Sequence, residues 1–376
     1  MKRKILHIVG GMDRGGAETW LMHVLRNIDR EKYHFDFLVS RPEPCAYDDE
    51  IRSLGSKIIV CPQPQKLIQY ASRFMRLVKK NGTYDVIHSH VHHYSGFTLL
   101  LAKLLGIKGR IAHSHNDTRV VETKRGFARK AYLKIMENML QQFATHGFAC
   151  SEDAGSDLYG RKWKQDARWI CLYCGIDFSP FRSEINETSR RKALGISEDA
   201  VVVGHVGRFS EQKNHHFLID IFAAFCKKEP HANLLLVGDG KLRKDIEKQV
   251  CKLNLSDKVI FAGVRPDVPE LMKDIMDIFL FPSLYEGLGL VLVEAQATGM
   301  PCVISDVIPN EADIINERIR RLSLTASADE WADVVSDLLK EQPKKALSGE
   351  EFKRLKRFDI AESIKGLLEV YKWYKA

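Results

Sequence analysis

Short apolar runs rich in β-branched and aromatic residues alternate with longer segments of helical period from one end of this chain to the other, and nothing else in it constrains the fold as much. Such alternation is the pattern of βαβ units, which assemble as parallel sheets with helices packed on their faces. In the first half the strand candidates are Ile5–Val9, Phe35–Val39, Lys57–Val60, Asp85–His90, Arg110–His113 and His146–Cys150, with helices expected over Ala17–Asn27 and Lys66–Lys80. The alternation restarts at Val201–Val206 and runs through Leu234–Val237, Val259–Ala262, Ile278–Phe281 and Cys302–Ser305. Two sheets are expected rather than one, since 376 residues exceed what a single core usually serves. Between the halves, Asp177–Glu198 is polar, carries Pro180 and lacks a strand pattern, so it reads as a linker with the domain boundary near Ser183. Ala361–Tyr374 reads as a final amphipathic helix.

Composition excludes several classes. No apolar run approaches the roughly 20 residues needed to span a bilayer. The apolar segment after Lys2, Arg3 and Lys4 is too short for a signal peptide, so a cytoplasmic protein is expected. Eight scattered cysteines make no disulfide framework, and Cys171-Leu172-Tyr173-Cys174 does not open a helix after a thioredoxin-like strand, so it is read as packing. The net charge of +8 is uneven, with +10 on residues 1–180 and −2 on residues 181–376. Much of the excess lies at Lys124, Arg125, Arg129, Lys130 and Lys134, interleaved with Phe127, Tyr132 and Leu133. This segment is either a peripheral contact for an anionic membrane or a solvated helix face. Nucleic acid is not expected, because no helix-turn-helix, zinc or RNA-binding signature accompanies the charge.

Four motifs carry chemistry. The loop Gly10-Gly11-Met12-Asp13-Arg14-Gly15-Gly16-Ala17-Glu18 follows the first strand and opens the first helix, which suits either close approach to an anion or a plain strand-to-helix turn. Its spacing is neither the dinucleotide fingerprint nor a phosphate loop, which disfavours NAD binding and ATP hydrolysis. After the first strand of the second half comes Gly207-Arg208-Phe209-Ser210-Glu211-Gln212-Lys213-Asn214. An arginine fork and a lysine point charge at a strand's carboxyl end suit a diphosphate, although two surface cations would look the same. The third motif is Pro282-Ser283-Leu284-Tyr285-Glu286-Gly287-Leu288-Gly289-Leu290-Val291-Leu292-Val293-Glu294-Ala295. Glu294 within an apolar helix must find hydrogen-bond donors, for which ribose hydroxyls or a buried arginine would serve. Glu286 can accept from sugar hydroxyls, and the helix start offers N–H groups to phosphate. The fourth motif is a density of histidines, His88, His90, His92 and His93, then His113 and His115 followed by Asn116 and Asp117. They lack the spacing of zinc sites, so contact with substrate oxygens is preferred over a metal, with His88 and His113 the candidates for satisfied core residues.

With these features in chain order, the sequence resembles glycosyltransferase family 4, the retaining nucleotide-sugar transferases of the GT-B fold, over essentially its full length. The most specific elements are Glu286 and Glu294 with Gly287-Leu288-Gly289 between them, joined by Arg208, Lys213, the opening glycine loop, Val237-Gly238-Asp239-Gly240 and Val259–Gly263. Ile5–Glu18, His88–Gly96 and Ala112–Asp117 look like bacterial enzymes of exopolysaccharide or capsule assembly.

The resemblance implies an α/β GT-B architecture, with two Rossmann-like domains facing each other across a cleft. Residues 1–183 would bind the acceptor, residues 184–360 would bind the donor, and the helix 361–376 would cross back to the first domain. It implies that Arg208 and Lys213 neutralise the donor diphosphate, helped by backbone from Gly15 and Gly16. Glu294 would hold the ribose, Val264 and Arg265 would line the base pocket, and Glu286 with Gly287, Leu288, Gly289 and Leu290 would hold the transferred sugar. His115 is the closest match to the family's histidine near the reacting sugar, with His113 as the alternative register. The donor is expected to be a uridine diphosphate sugar and the acceptor a carbohydrate or a polyprenyl-linked saccharide. No metal and no cofactor are expected, since the two cations face the leaving group directly and no Asp-x-Asp motif is present. Two rivals are a nucleotide-sugar epimerase of the same fold and a non-catalytic sugar-binding protein.

Overall fold

A computed structural model describes residues 2–122, 126–182 and 187–374. The chain divides into two units, Met1–Gly175 together with Arg357–Ala376, and Ile176–Lys356. The division therefore falls ahead of Ser183, which itself lies outside the described residues.

In the first unit the strands are β1 (Arg3–Val9), β2 (Tyr33–Val39), β3 (Ile58–Val60), β4 (Val86–Ser89), β5 (Gly109–Ser114), β6 (His146–Ala149) and β7 (Trp169–Cys171). They form one parallel sheet in the order β3-β2-β1-β4-β5-β6-β7. Helices on both faces bury the central strands, which is why Ile5, Leu6, Ile8, Val86 and Ile87 are almost wholly inaccessible and the strands read as continuous apolar runs. The strand order reverses between β1 and β4, and in open parallel sheets the crevice at the carboxyl ends beside such a reversal is where ligands bind.

The second unit repeats the plan with β8 (Val202–Val206), β9 (Asn233–Val237), β10 (Val259–Gly263), β11 (Ile278–Phe281), β12 (Cys302–Ser305) and β13 (Ile319–Leu322), ordered β10-β9-β8-β11-β12-β13. Its reversal lies between β8 and β11. Beyond the strands, Gly207 N–H donates to Val237 O at 2.9 Å and Phe209 N–H to Asp239 O at 3.0 Å, so the loops after β8 and β9 stay zipped together. This closeness requires glycine: a Cβ on Gly238, whose φ is +131°, would lie 2.1 Å from Gly207 O.

Three sequence expectations are corrected. The edge strands β7 and β13 were not anticipated, the first being three residues long and the second carrying Arg320 and Arg321. Asp177–Glu198 is not merely a linker, because it contains the helix Glu187–Ala193, whose Arg191 is buried in the second unit. The Arg191 guanidinium donates to Ala200 O at 2.7 Å, to Ile275 O at 3.1 Å and to the Asp277 carboxylate at 3.0 Å.

The terminal helix Ile360–Tyr371 packs in the first unit, where Trp20 Nε1 donates to Ser363 Oγ at 2.9 Å and Tyr371 Oη meets His88 Nδ1 at 2.6 Å. Of the basic segment, Lys124 and Arg125 lie outside the described residues, while Arg129, Lys130 and Lys134 lie on the helix Phe127–Phe143. Phe127 is 87% and Ile135 52% exposed on that helix. Among the described residues no helix is long and apolar enough to cross a membrane.

Candidate functional site

The second unit brings its two motifs together at the β8/β11 reversal. The helix His215–Phe225 starts at Asn214, which adopts the left-handed conformation (φ +53°) and donates through Nδ2 to Pro282 O at 3.1 Å. Asparagine tolerates that conformation better than other residues with a Cβ, and here it fastens the loop after β8 to the end of β11. Gln212 adds three further ties. Its carbonyl accepts from Leu284 N–H at 2.8 Å, and its Nε2 donates to Tyr285 O at 3.0 Å and to Glu286 Oε2 at 3.3 Å. Lys213 Nζ then meets Glu286 Oε1 at 2.6 Å, with the two side chains only 15% and 7% exposed, and lies 4.7 Å from the Phe281 ring centroid. Lys213 and Glu286, assigned separately to phosphate and sugar, therefore form one charge pair in this structure.

Gly289, at φ +84°, turns the chain into the helix Leu290–Ala297, while buried Leu288 anchors the Gly287–Leu290 turn. Glu294 sits in that helix with no ion-pair partner among the described residues, so the buried-arginine alternative is not what holds it. Burial pushes its carboxyl up to about 7. Arg208 is exposed and has no ion pair among the described residues, which leaves its five donors available. Val264 and Arg265 follow β10 at the sheet edge. Val264 is 53% exposed, and the Arg265 fork is held by Asp267 at 2.8 Å through both Nε and Nη2.

In the first unit, Gly15 caps the helix Gly16–Asn27 without a side-chain hydrogen bond, and Glu18 lies in its first turn. Asp13 braces the glycine loop by pairing with Arg41 and accepting from Ala46 N–H at 3.2 Å. Three strands, β1, β4 and β5, aim histidines at one layer below Trp20 and Tyr371. His7 Nδ1 lies 3.0 Å from His90 Nε2, His90 Nδ1 lies 2.9 Å from His115 Nε2, and His115 Nδ1 lies 3.6 Å from Cys174 Sγ. Burial holds His7 and His115 down at about 3 and His88, His90 and His113 well below the usual histidine range, so these rings are neutral.

Both nitrogens of His115 are thus engaged within the fold. His88 is a core residue bonded to Tyr371, as expected, but His113 is buried with neither ring nitrogen hydrogen-bonded among the described residues. His92 and His93 depart from this layer. His92 takes φ +51°, and its Nε2 lies 3.2 Å from Asn116 O and 3.2 Å from Asp157 Oδ2. Asp157, 64 positions from His93 and in a segment without a motif, was invisible to sequence reasoning. A hollow of 470 Å³ lined by Lys2, Tyr33 and Ser56 among others opens at the amino ends of β1 and β2, the edge opposite these loops, and contains none of the motif residues.

Two family descriptions divide the sequence between them. Residues 14–179 match Glycosyltransferase Family 4 and residues 186–354 match Glycosyl transferases group 1. EpsF of Bacillus subtilis (strain 168), a glycosyltransferase by designation, is 37% identical over 98% of this chain and 96% of its own length. The capsular polysaccharide biosynthesis glycosyltransferase CapH of Staphylococcus aureus is 28% identical over 98% of both chains. An Escherichia coli UDP-Gal:alpha-D-GlcNAc-diphosphoundecaprenol alpha-1,3-galactosyltransferase is 28% identical over 84% of this chain and 82% of its own. Among solved structures, HepE of Anabaena in complex with UDP-glucose superposes with a TM-score of 0.81 at 20% identity, covering 98% of this chain and 99% of HepE. The chain belongs to glycosyltransferase family 4 and is a transferase of the GT-B fold.

Proposed function

We propose that this transferase moves a sugar, with retention of anomeric configuration, from a uridine diphosphate sugar to a lipid-linked saccharide during assembly of an extracellular polysaccharide. The observation that carries the donor site is the Lys213–Glu286 pair at the β8/β11 reversal, with exposed Arg208 following β8 and half-buried Glu294 on the helix that follows β11. The UDP-glucose held by HepE supports the class of donor. The names of CapH and of the Escherichia coli galactosyltransferase support the pathway and the diphosphoundecaprenol type of acceptor.

In this reading the hard step is expulsion of the diphosphate as positive charge grows on the anomeric carbon. Arg208 stabilises the departing charge, and Lys213, steadied by Glu286, supplies a second cation, so no divalent metal is needed for that step. Ribose hydroxyls donate to Glu294 and return its carboxyl to the charged form. The N–H groups opening Gly287–Leu290 lie beside the same site, and Val264 and Arg265 face the base. His115 contributes through its ring edge or after giving up a bond to His90 or Cys174. The exposed Phe127 and Ile135 among lysines and arginines support a peripheral contact with an anionic membrane, where a polyprenyl acceptor would reside.

The decisive experiment is a thermal-shift screen against nucleotides, nucleotide-diphosphate sugars and free sugars, with Arg208→Ala and Glu294→Ala alongside. Stabilisation by one nucleotide diphosphate, lost in both variants, is the expected result. A response to free sugar alone would instead return the sugar-binding reading. With the donor known, the anomeric configuration of the product by NMR tests retention, and transfer in the presence of EDTA tests metal independence.

A further inference from the structure

We propose that His92, His93 and Asp157 form a binding site for a divalent transition-metal cation, with Zn²⁺ as the expected occupant. The site lies in the first unit and uses none of the residues assigned to the leaving group. One donor atom from each of the three side chains lies within 4.8 Å of the others, giving two imidazoles and a carboxylate on one point. His92 Nε2 is 3.2 Å from Asp157 Oδ2 and His93 Nε2 is 3.8 Å from Asp157 Oδ1. Ligands bound to zinc at about 2.0–2.2 Å stand roughly 3.3 Å from one another, so these spacings already approach those of a shared ion. Asn116 O, 3.2 Å from His92 Nε2, offers a further oxygen at the same distance. Three protein side chains leave at least one coordination position open to an oxygen ligand, the arrangement of zinc sites that bind small molecules.

Two independent observations point to an ion rather than to simple hydrogen bonding. His93 makes no hydrogen bond among the described residues, because Nδ1 is buried without a partner and Nε2 stands beyond hydrogen-bond reach of Asp157. With no hydrogen bond to occupy it, Nε2 of this imidazole, only 11% exposed, keeps its lone pair available to an ion on the Asp157 side. The surroundings are also built as ligand supports usually are. Asp157 Oδ2 accepts from Thr118 N–H at 2.6 Å and from Thr118 Oγ1 at 2.9 Å, which fixes the carboxylate and leaves Oδ1 free of those bonds. His92 is held at φ +51°, a conformation unfavourable for a residue with a Cβ, and that turn is what brings its ring to Asp157.

Two other groups, His7 with His88 and His90, and His90 with His113 and His115, also bring three ring nitrogens within 4.8 Å. They carry the inference less far. Their nitrogens bond to one another and their rings stack, as at His113 and His115 with centroids 4.1 Å apart. They also contain no carboxylate to offset a dication in a buried layer. In the His92 group the carboxylate supplies that charge, and side-chain exposures of 22%, 11% and 6% leave a route from solvent.

The full chain, stripped with a chelator, should be titrated with Co²⁺ while visible absorption is recorded, and separately dialysed against Zn²⁺ for metal analysis, with no nucleotide present. The expected result is about one equivalent of tightly bound metal with Co²⁺ bands of low coordination number, and affinity lowered roughly tenfold or more in His93→Gln and in Asp157→Asn. His92→Gln, at the most exposed ligand, serves as the third variant, and circular dichroism verifies that each is folded. Absence of Co²⁺ bands in the unmodified protein overturns the proposal whatever the variants do. Undiminished binding in folded variants overturns it as well and directs attention to the histidine layer. Because the readout needs no donor, a failed assignment of Arg208 or Glu294 would leave this result untouched.

Discussion

Glu294 links the interior of one helix to the chemistry of the second unit. Its carboxyl titrates near 7 because burial disfavours the charged form, against 4.5 for the free side chain. Below about pH 4.5 it is protonated whether the chain is folded or not, and it exacts no penalty. As pH rises toward 7 the unfolded chain ionises first, so stability is lost across that window and levels off above it. Glu294→Gln should therefore stabilise the ligand-free protein by about 2 kcal/mol at pH 8 and by nothing at pH 4, as read from denaturant midpoints, while abolishing the response to nucleotide. Lys213 presents the opposite case. Lys213→Ala strands the Glu286 carboxylate, 7% exposed, and should cost about 3 kcal/mol. Lys213→Ala combined with Glu286→Gln should cost less than Lys213→Ala alone, a coupling that a double-mutant cycle measures. The pairing itself could not be read from the sequence. Glu286 and Gly287–Leu290 stand out through a motif, but that Lys213 would find Glu286 73 positions away is a product of β8 lying beside β11.

At the scale of elements, legibility followed side-chain chemistry. β11 and β12 were read to the residue, because strands buried on both faces are uninterrupted apolar runs. β13 was missed because an edge strand can place arginines along its length. Arg321 Nε donates to Asp313 Oδ2 at 2.7 Å and Arg320 Nη2 to Glu341 Oε2 at 2.8 Å, satisfying charges that make the segment look like a loop. The helix Glu187–Ala193 was hidden for a related reason, since Arg191 is buried by hydrogen bonding to carbonyls rather than by being apolar. Glycine was legible as a motif, whereas its reason was not. Gly238→Ala would drive a Cβ to within 2.1 Å of Gly207 O, and should lower stability by about 3 kcal/mol in urea titration while disturbing the backbone that presents Arg208.

For the whole molecule, charge and topology act beyond any one site. The +10 carried by residues 1–180 and the exposed Phe127 and Ile135 predict sedimentation with vesicles containing phosphatidylglycerol but not with neutral ones. That binding should fade at about 1 M salt, where the screening length falls to roughly 3 Å, and should weaken in Phe127→Ser; indifference to vesicle charge would remove the membrane contact. The return of Arg357–Ala376 to the first unit has another consequence. The polypeptide leaves that unit after Gly175 and re-enters it at Arg357, so the second unit is an insertion within the first. During synthesis, all the strands of both sheets emerge before the helix that contributes Ser363 to Trp20 and Tyr371 to His88. The unit whose translation begins first is thus completed after the second, and a nascent chain stalled before Ile360 would carry the strands of both sheets while Trp20 and His88 still lack Ser363 and Tyr371.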